Sequence, residues 1–218
     1  KLDDGTLLNS EAEIDQRPLH DERLLVDVWL EPAAYICSEA AQAILEADLI
    51  TFGPGDLDTS IAPNQKVKGV KEVLAESKAI KVAIPSLMTK WSETRGYHVH
   101  DFVGKMVEFG IGSDRFDYTL VNKTPLNTPE LKDLLEKYKK EEKSEPISID
   151  GDGDNLELSR YTKMKHQVDL LSQSGLRQGL IRHDARKVAR ALMDILYAPD
   201  QPLWPKSEAL SLLAPVED

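Results

Sequence analysis

Short apolar runs alternate along this chain with helical stripes, and their order lays out a fold. "LITF" (49–52), "AIKVAIP" (79–85) and "FDYTLVN" (116–122) are compact apolar runs, which predict buried strands. "LLVDVWL" (24–30) reads as another strand and "EPISID" (145–150) as a short one. Between them apolar residues recur at three- and four-residue spacing. One stripe is Ala41, Ile44 and Leu45 behind Ser38 as N-cap; others are Val67, Val70 and Leu74, then Phe102, Val103, Met106 and Val107. Thr128 and Pro129 open a helix with Leu131, Leu134, Leu135 and Tyr138 inside, and Asp184 caps one with Val188, Leu192, Ile195 and Leu196 inside. The opening "KLDDGTLLNSEAEID" sets Asp-Gly between short flanks, as a hairpin or small extended excursion would.

This alternation predicts an α/β fold with a mostly parallel sheet, right-handed crossovers and helices on both faces. Residues 1–197 form that domain, and 198–218 read as a C-terminal tail that packs, if at all, through Leu203, Trp204 and Leu210–Leu213. "KKEEKSE" (139–145) reads as a solvated charge run.

Composition narrows the partners. A formal net charge of −11 argues against nucleic acid, whose phosphates demand clustered positive charge. A small anion stays open as a ligand where a local pocket supplies N–H groups, Lys or Arg. No apolar run reaches membrane-spanning length and no signal-peptide pattern opens the chain, so no membrane partner is expected. The single Cys37 excludes an internal disulfide, reads as a small packed residue and fits a reducing cytoplasm. The chain opens at Lys1 rather than Met, as the remainder of a longer protein would.

Ligands of open α/β sheets gather beyond the carboxyl ends of the strands. That rule selects 53–64, 86–101 and 122–127, all rich in Ser, Thr, Asn and Gly. In "GPGDLDTS", Gly53 and Gly55 can take positive φ and Pro54 stiffens the turn, while Asp56, Thr59 and Ser60 can cap a helix or meet a bound polar group. The turn at 53–60 is expected at the end of a central strand, open to solvent on one side. Arg95 suits a phosphate or carboxylate clamp, and equally an exposed surface position. Trp91 suits stacking on a base, and equally a lid over the edge of the core. The two imidazoles of "HVHD" (98–101) are weak evidence for a metal without a distant third ligand. For His183-Asp184 an N-cap beside a bystander imidazole is favoured over a catalytic pair. "DGDGDNLEL" (150–158) fails as a calcium loop, because its sixth and twelfth places hold Asn155 and Tyr161; it reads as a polar hairpin turn.

"ADLITFGPGDLDTSIAPNQKVKGVKEVL", "LMTKWSETRGYHVHDFV", "FDYTLVN" and "LIRHDARKVARAL" stand in the order of the 2-phospho-L-lactate transferase family. The chain resembles its bacterial gluconeogenesis-factor branch over roughly residues 1–197. The resemblance implies a Rossmann-like three-layer sandwich that binds a guanosine or uridine diphospho compound. By match to the motifs, Gly53, Gly55, Thr59, Ser60 and Asn64 would border the nucleotide. Met88, Thr89, Glu93, Thr94, Gly96 and Tyr97 would form the facing wall, with Arg95 as the clamp.

Three departures accompany the resemblance. The family's glycine-rich beginning has no counterpart in these residues, so binding by them alone is expected to be weak. Completion of the site by that N-terminal half or by a homo-oligomer stays open. Asp58 stands where the family usually has Tyr, and Ser92 where it usually has Gly. The function expected first is a nucleotide-sugar-binding regulator of central carbon metabolism and cell shape. The alternatives are a transferase moving a phospholactyl group from a GDP-linked donor to a deazaflavin alcohol, and an inert or fragmentary relative. No cofactor is firmly implied and no metal ligands are assigned; magnesium would accompany a UDP- or GDP-linked ligand.

Overall fold

The three compact apolar runs do form strands. In a computed structural model, which describes residues 1–149 and 151–197, β1 (Leu49–Phe52), β2 (Ile80–Ala83) and β3 (Phe116–Asn122) lie side by side and parallel. A fourth parallel strand, β4 (Thr162–Val168), joins β3 from Phe116↔Thr162 to Asn122↔Val168, giving the order β1-β2-β3-β4. The helices are α1 (Glu11–Asp15), α2 (Ser38–Glu46), α3 (Ala62–Gln65), α4 (Val70–Glu76), α5 (Val99–Phe109), α6 (Lys132–Glu142), α7 (Gly151–Leu158), α8 (Gln173–Arg177) and α9 (Ala185–Tyr197).

Side chains of the strands divide between two cores, one on each side of the sheet, which makes three layers. On one face Phe52, Ala83 and Phe116 pack against Phe102, Val103 and Met106 of α5. On the other, Val82, Tyr118 and Leu120 pack against Ala191 and Ile195 of α9. A third cluster, Leu87, Leu126, Leu131, Leu171 and Ile181, lies beyond the carboxyl ends of the strands and seats Leu134, Leu135 and Tyr138 of α6.

The structure differs from the expectations in five places. Residues 24–30 form no strand; Leu25 makes one antiparallel bridge to Leu2, and Leu24, Val26 and Trp29 are exposed. Residues 145–149 make one bridge, Pro146 to Met88, because proline cannot extend a ladder. Gly151–Leu158 is helical, anchored by the buried Leu158, where a hairpin turn was expected. Cys37 is exposed rather than packed, since it, in place of the expected Ser38, is the N-cap of α2, a helix that buries none of its residues. Among the described residues β1 is an outer strand, not a central one. The expected tail packing at 198–218 lies outside the described residues.

Candidate functional site

The two motif loops meet, and buried Glu93 joins them. Its Oε2 accepts hydrogen bonds from the backbone N–H groups of Asp58 (2.7 Å) and Thr59 (3.3 Å), and its Oε1 accepts from Thr59 Oγ1 (2.9 Å). Glu93 therefore caps the helical turn Leu57–Ile61 from outside that segment, where unpaired N–H groups gather. Lys90 adds a second tie, its Nζ lying 2.6 Å from Asp56 Oδ2 and 3.1 Å from Glu93 Oε1 and pairing also with Asp15 of α1. Burial works against that ammonium, yet the three carboxylates hold it protonated well above the usual lysine range. Asp58 is the converse case. Burial, and then the neighbouring Glu93 charge, push its carboxyl up to about 7.

The frame absorbs most of the polar atoms expected to meet a ligand. Thr59 serves Glu93, and Thr94 Oγ1 accepts from Lys90 N–H at 2.9 Å. Thr89 Oγ1 accepts from Glu145 N–H at 2.8 Å, and Gly55 O accepts from Ser86 Oγ at 3.1 Å. Asn64 donates to Ser60 O at 2.8 Å, while Ser60 itself is exposed. Arg95 donates to the Glu22 carbonyl at 2.7 Å and lies 4.3 Å from the ring centroid of Trp91, whose other cationic neighbour, Lys143, lies 3.9 Å away. Met88 packs against the third core cluster. Gly53, at φ 87°, is required where it stands, because a Cβ there would lie 2.5 Å from Ile84 O.

Open space lies beside this frame. A cleft of about 820 Å³ sits beyond the carboxyl ends of β3 and β4, with Val121, Asn122 and Gln167 at its floor. Thr89, Gly96, Tyr97 and His98 form one rim, Thr124 to Asn127 another, and Glu136 and Lys139 of α6 a third side. Of the expected site residues, Thr89, Gly96 and Tyr97 line it. Gly96 has φ 74° and nothing within 4 Å of where a Cβ would stand, so its backbone borders open space. Burial raises the Tyr97 phenol above its ordinary range, with Asp58 adding to the effect. The floor is braced: Asn122 donates to Thr124 O (2.8 Å) and accepts from Leu170 N–H (3.1 Å), and Thr124 Oγ1 donates to Asp169 (2.6 Å). Lys139, Ser148 and Gln167 were not expected. Lys139 belongs to a charge run that reads as solvent-facing, and Gln167 to a strand without an apolar signature.

Asp15, Asp56 and Glu93 offer three carboxylate oxygens within 4.8 Å of one another, close enough to share a cation. The Lys90 ammonium contacts all three, so it takes the place between them that a cation would need and offsets one of their three charges. The imidazoles of His98 and His100 stack at 5.8 Å, and both reach Asp154, at 3.3 and 3.5 Å. This ties α5 to α7. Asp184 caps α9 through the N–H groups of Arg186 and Lys187, as expected, and burial lowers His183 to about 4.

The family described as 2-phospho-L-lactate transferase CofD matches residues 1–168, and the chain belongs to it. The gluconeogenesis factor of Listeria innocua is 32% identical over 199 residues, which cover 90% of this chain and 55% of that protein. That of Halalkalibacterium halodurans is 30% identical over 203 residues, covering 89% and 55%. A crystal structure of a UPF0052 family member from Bacillus halodurans superposes with a TM-score of 0.72 at 30% identity, covering 88% of this chain and 56% of that one. The chain thus spans about half the length of the relatives it matches.

Proposed function

We propose that this family member is a cytoplasmic nucleotide-sugar-binding regulator of carbon use and cell shape, with its ligand seated in the cleft beyond β3 and β4. The cleft itself carries the reading. Its volume of about 820 Å³ falls within the few hundred to about 1,000 Å³ usual for small-molecule sites, and it opens where α/β sheets gather their ligands. The loops around it are braced by hydrogen bonds, so the site is largely formed before a ligand arrives. Support for a regulatory rather than a metabolic role comes from the relatives named gluconeogenesis factor.

The transferase reading has less to stand on. Phospholactyl transfer calls for charge and metal clamps around a diphosphate. The one close trio of carboxylates among the described residues already holds the Lys90 ammonium between its members. Any magnesium would travel with the ligand's own diphosphate. Saturation-transfer NMR with UDP-glucose and GDP-mannose tests the proposal. A signal from the nucleotide protons that free UDP competes away is the expected result. A flat spectrum at millimolar ligand, from these residues and from a family-length chain alike, would overturn it.

A further inference from the structure

The cleft carries very little positive charge for a protein of net charge −11, and that charge sits in particular places. Its lysines are Lys123, on the loop after β3, and Lys139, on α6. Lys139 Nζ lies 3.6 Å from Glu145 Oε1, and both side chains are well exposed. The two partners are held differently. Glu145 is pinned at the rim by its backbone, which accepts from Thr89 N–H at 2.7 Å and donates to Thr89 Oγ1 at 2.8 Å. Lys139 stands on α6, which buries none of its residues fully and is seated by Leu134, Leu135 and Tyr138. The Tyr138 hydroxyl accepts from Ile181 N–H at 3.1 Å, which fixes the turn of helix carrying Lys139.

An exposed ion pair of this kind is worth only about 0–1 kcal/mol, because water and salt screen it. A diphosphate brings more charge and more acceptor oxygens than one carboxylate, so it competes well for the same ammonium. Arg95, the guanidinium expected to do this work, is engaged by Glu22 O and Trp91 and does not line the cleft.

We infer that Lys139 is the anion-recognising arm of the cleft, held by Glu145 until the phosphate groups of a nucleoside diphosphate take its place. This rests on the reading of the cleft as a nucleotide site and adds the orientation of the ligand. The diphosphate lies toward α6 and Thr89, and the nucleoside toward the floor at Asn122 and Gln167. Glu145 then tempers the affinity for phosphate ligands, since only a ligand that takes Lys139 must displace it.

Dissociation constants of UDP and of uridine, measured by NMR titration for the unaltered chain, Lys139→Ala and Glu145→Gln, test it. Lys139→Ala is expected to weaken UDP by about fivefold to tenfold and to leave uridine within about twofold. Glu145→Gln is expected to tighten UDP by about twofold to fivefold, an effect that shrinks in high salt. Lys139 lies on an exposed helix face, so neither change should impair folding, and matching melting temperatures check this. Equal loss of UDP and uridine in Lys139→Ala, or no change in the UDP-to-uridine ratio in either variant, would overturn the inference alone. No shifts with UDP or uridine at millimolar ligand, in the unaltered chain and in a family-length chain alike, would overturn the nucleotide reading, and this inference with it.

Discussion

Glu93 shows how one residue can serve stability and site geometry together. It is a buried carboxylate that accepts from two backbone N–H groups and a hydroxyl and pairs with Lys90, so its removal strands several donors at once. Glu93→Ala is expected to cost about 3 kcal/mol in urea unfolding, the scale for breaking one side of a buried, hydrogen-bonded charge pair. Asp58 and His183 make the pH dependence separable. Folded Asp58 keeps a proton up to about 7, while the unfolded chain releases it near 3.8. Its contribution therefore falls by roughly 1.4 kcal/mol per pH unit as pH rises through that window. Folded His183 resists protonation down to about 4, while the unfolded chain takes a proton near 6.5, so its contribution falls as pH drops through that range. The two slopes oppose each other between about 4 and 6.5. Asp58→Asn should leave stability rising with pH there, and His183→Gln should leave it falling. Parallel curves for both variants in urea titrations across pH 4–7 would contradict the assignment.

At the scale of elements, the turn after β1 depends on close approach rather than on sequence preference. Gly53→Ala would force a Cβ against the Ile84 carbonyl at positive φ, and the expected loss exceeds about 1 kcal/mol, read as a lowered melting temperature. A loss smaller than that of Gly96→Ala, which meets only open space, would show the turn to be adaptable. The same contrast explains what the sequence could reveal. β2 and β3 were legible because both faces are buried, which demands continuous apolar runs. β4 was not, because Lys163, Met164, Lys165 and Gln167 are exposed and only Thr162 is buried, so the strand shows neither alternation nor a run. Residues 24–30 carried the opposite error: Leu24, Val26, Val28 and Leu30 alternate as in a strand, but the segment has no partner ladder among the described residues. The two motif loops were legible as a pair, whereas Glu93 as their tie was not. A ligand-facing and a neighbour-facing carboxylate look alike in one dimension.

For the whole molecule, a net charge of −11 repels an anionic ligand at a distance, so recognition rests on short contacts inside the cleft. The sheet brings the carboxyl ends of β3 and β4 together with the 88–97 turn and α6. Each contributes a wall, and no segment makes the site alone. On the proposed function, this cleft, and not the 53–64 turn, receives a nucleoside diphosphate sugar. Backbone amide shifts recorded at about 150 mM salt during titration with UDP-glucose test it most directly. Perturbations are expected to concentrate at Gly96, Tyr97, Asn122, Asn127, Ser148 and Gln167, with Ser60 and Asn64 unmoved. Shifts concentrated at Gly55, Ser60 and Asn64, with the cleft silent, would contradict it.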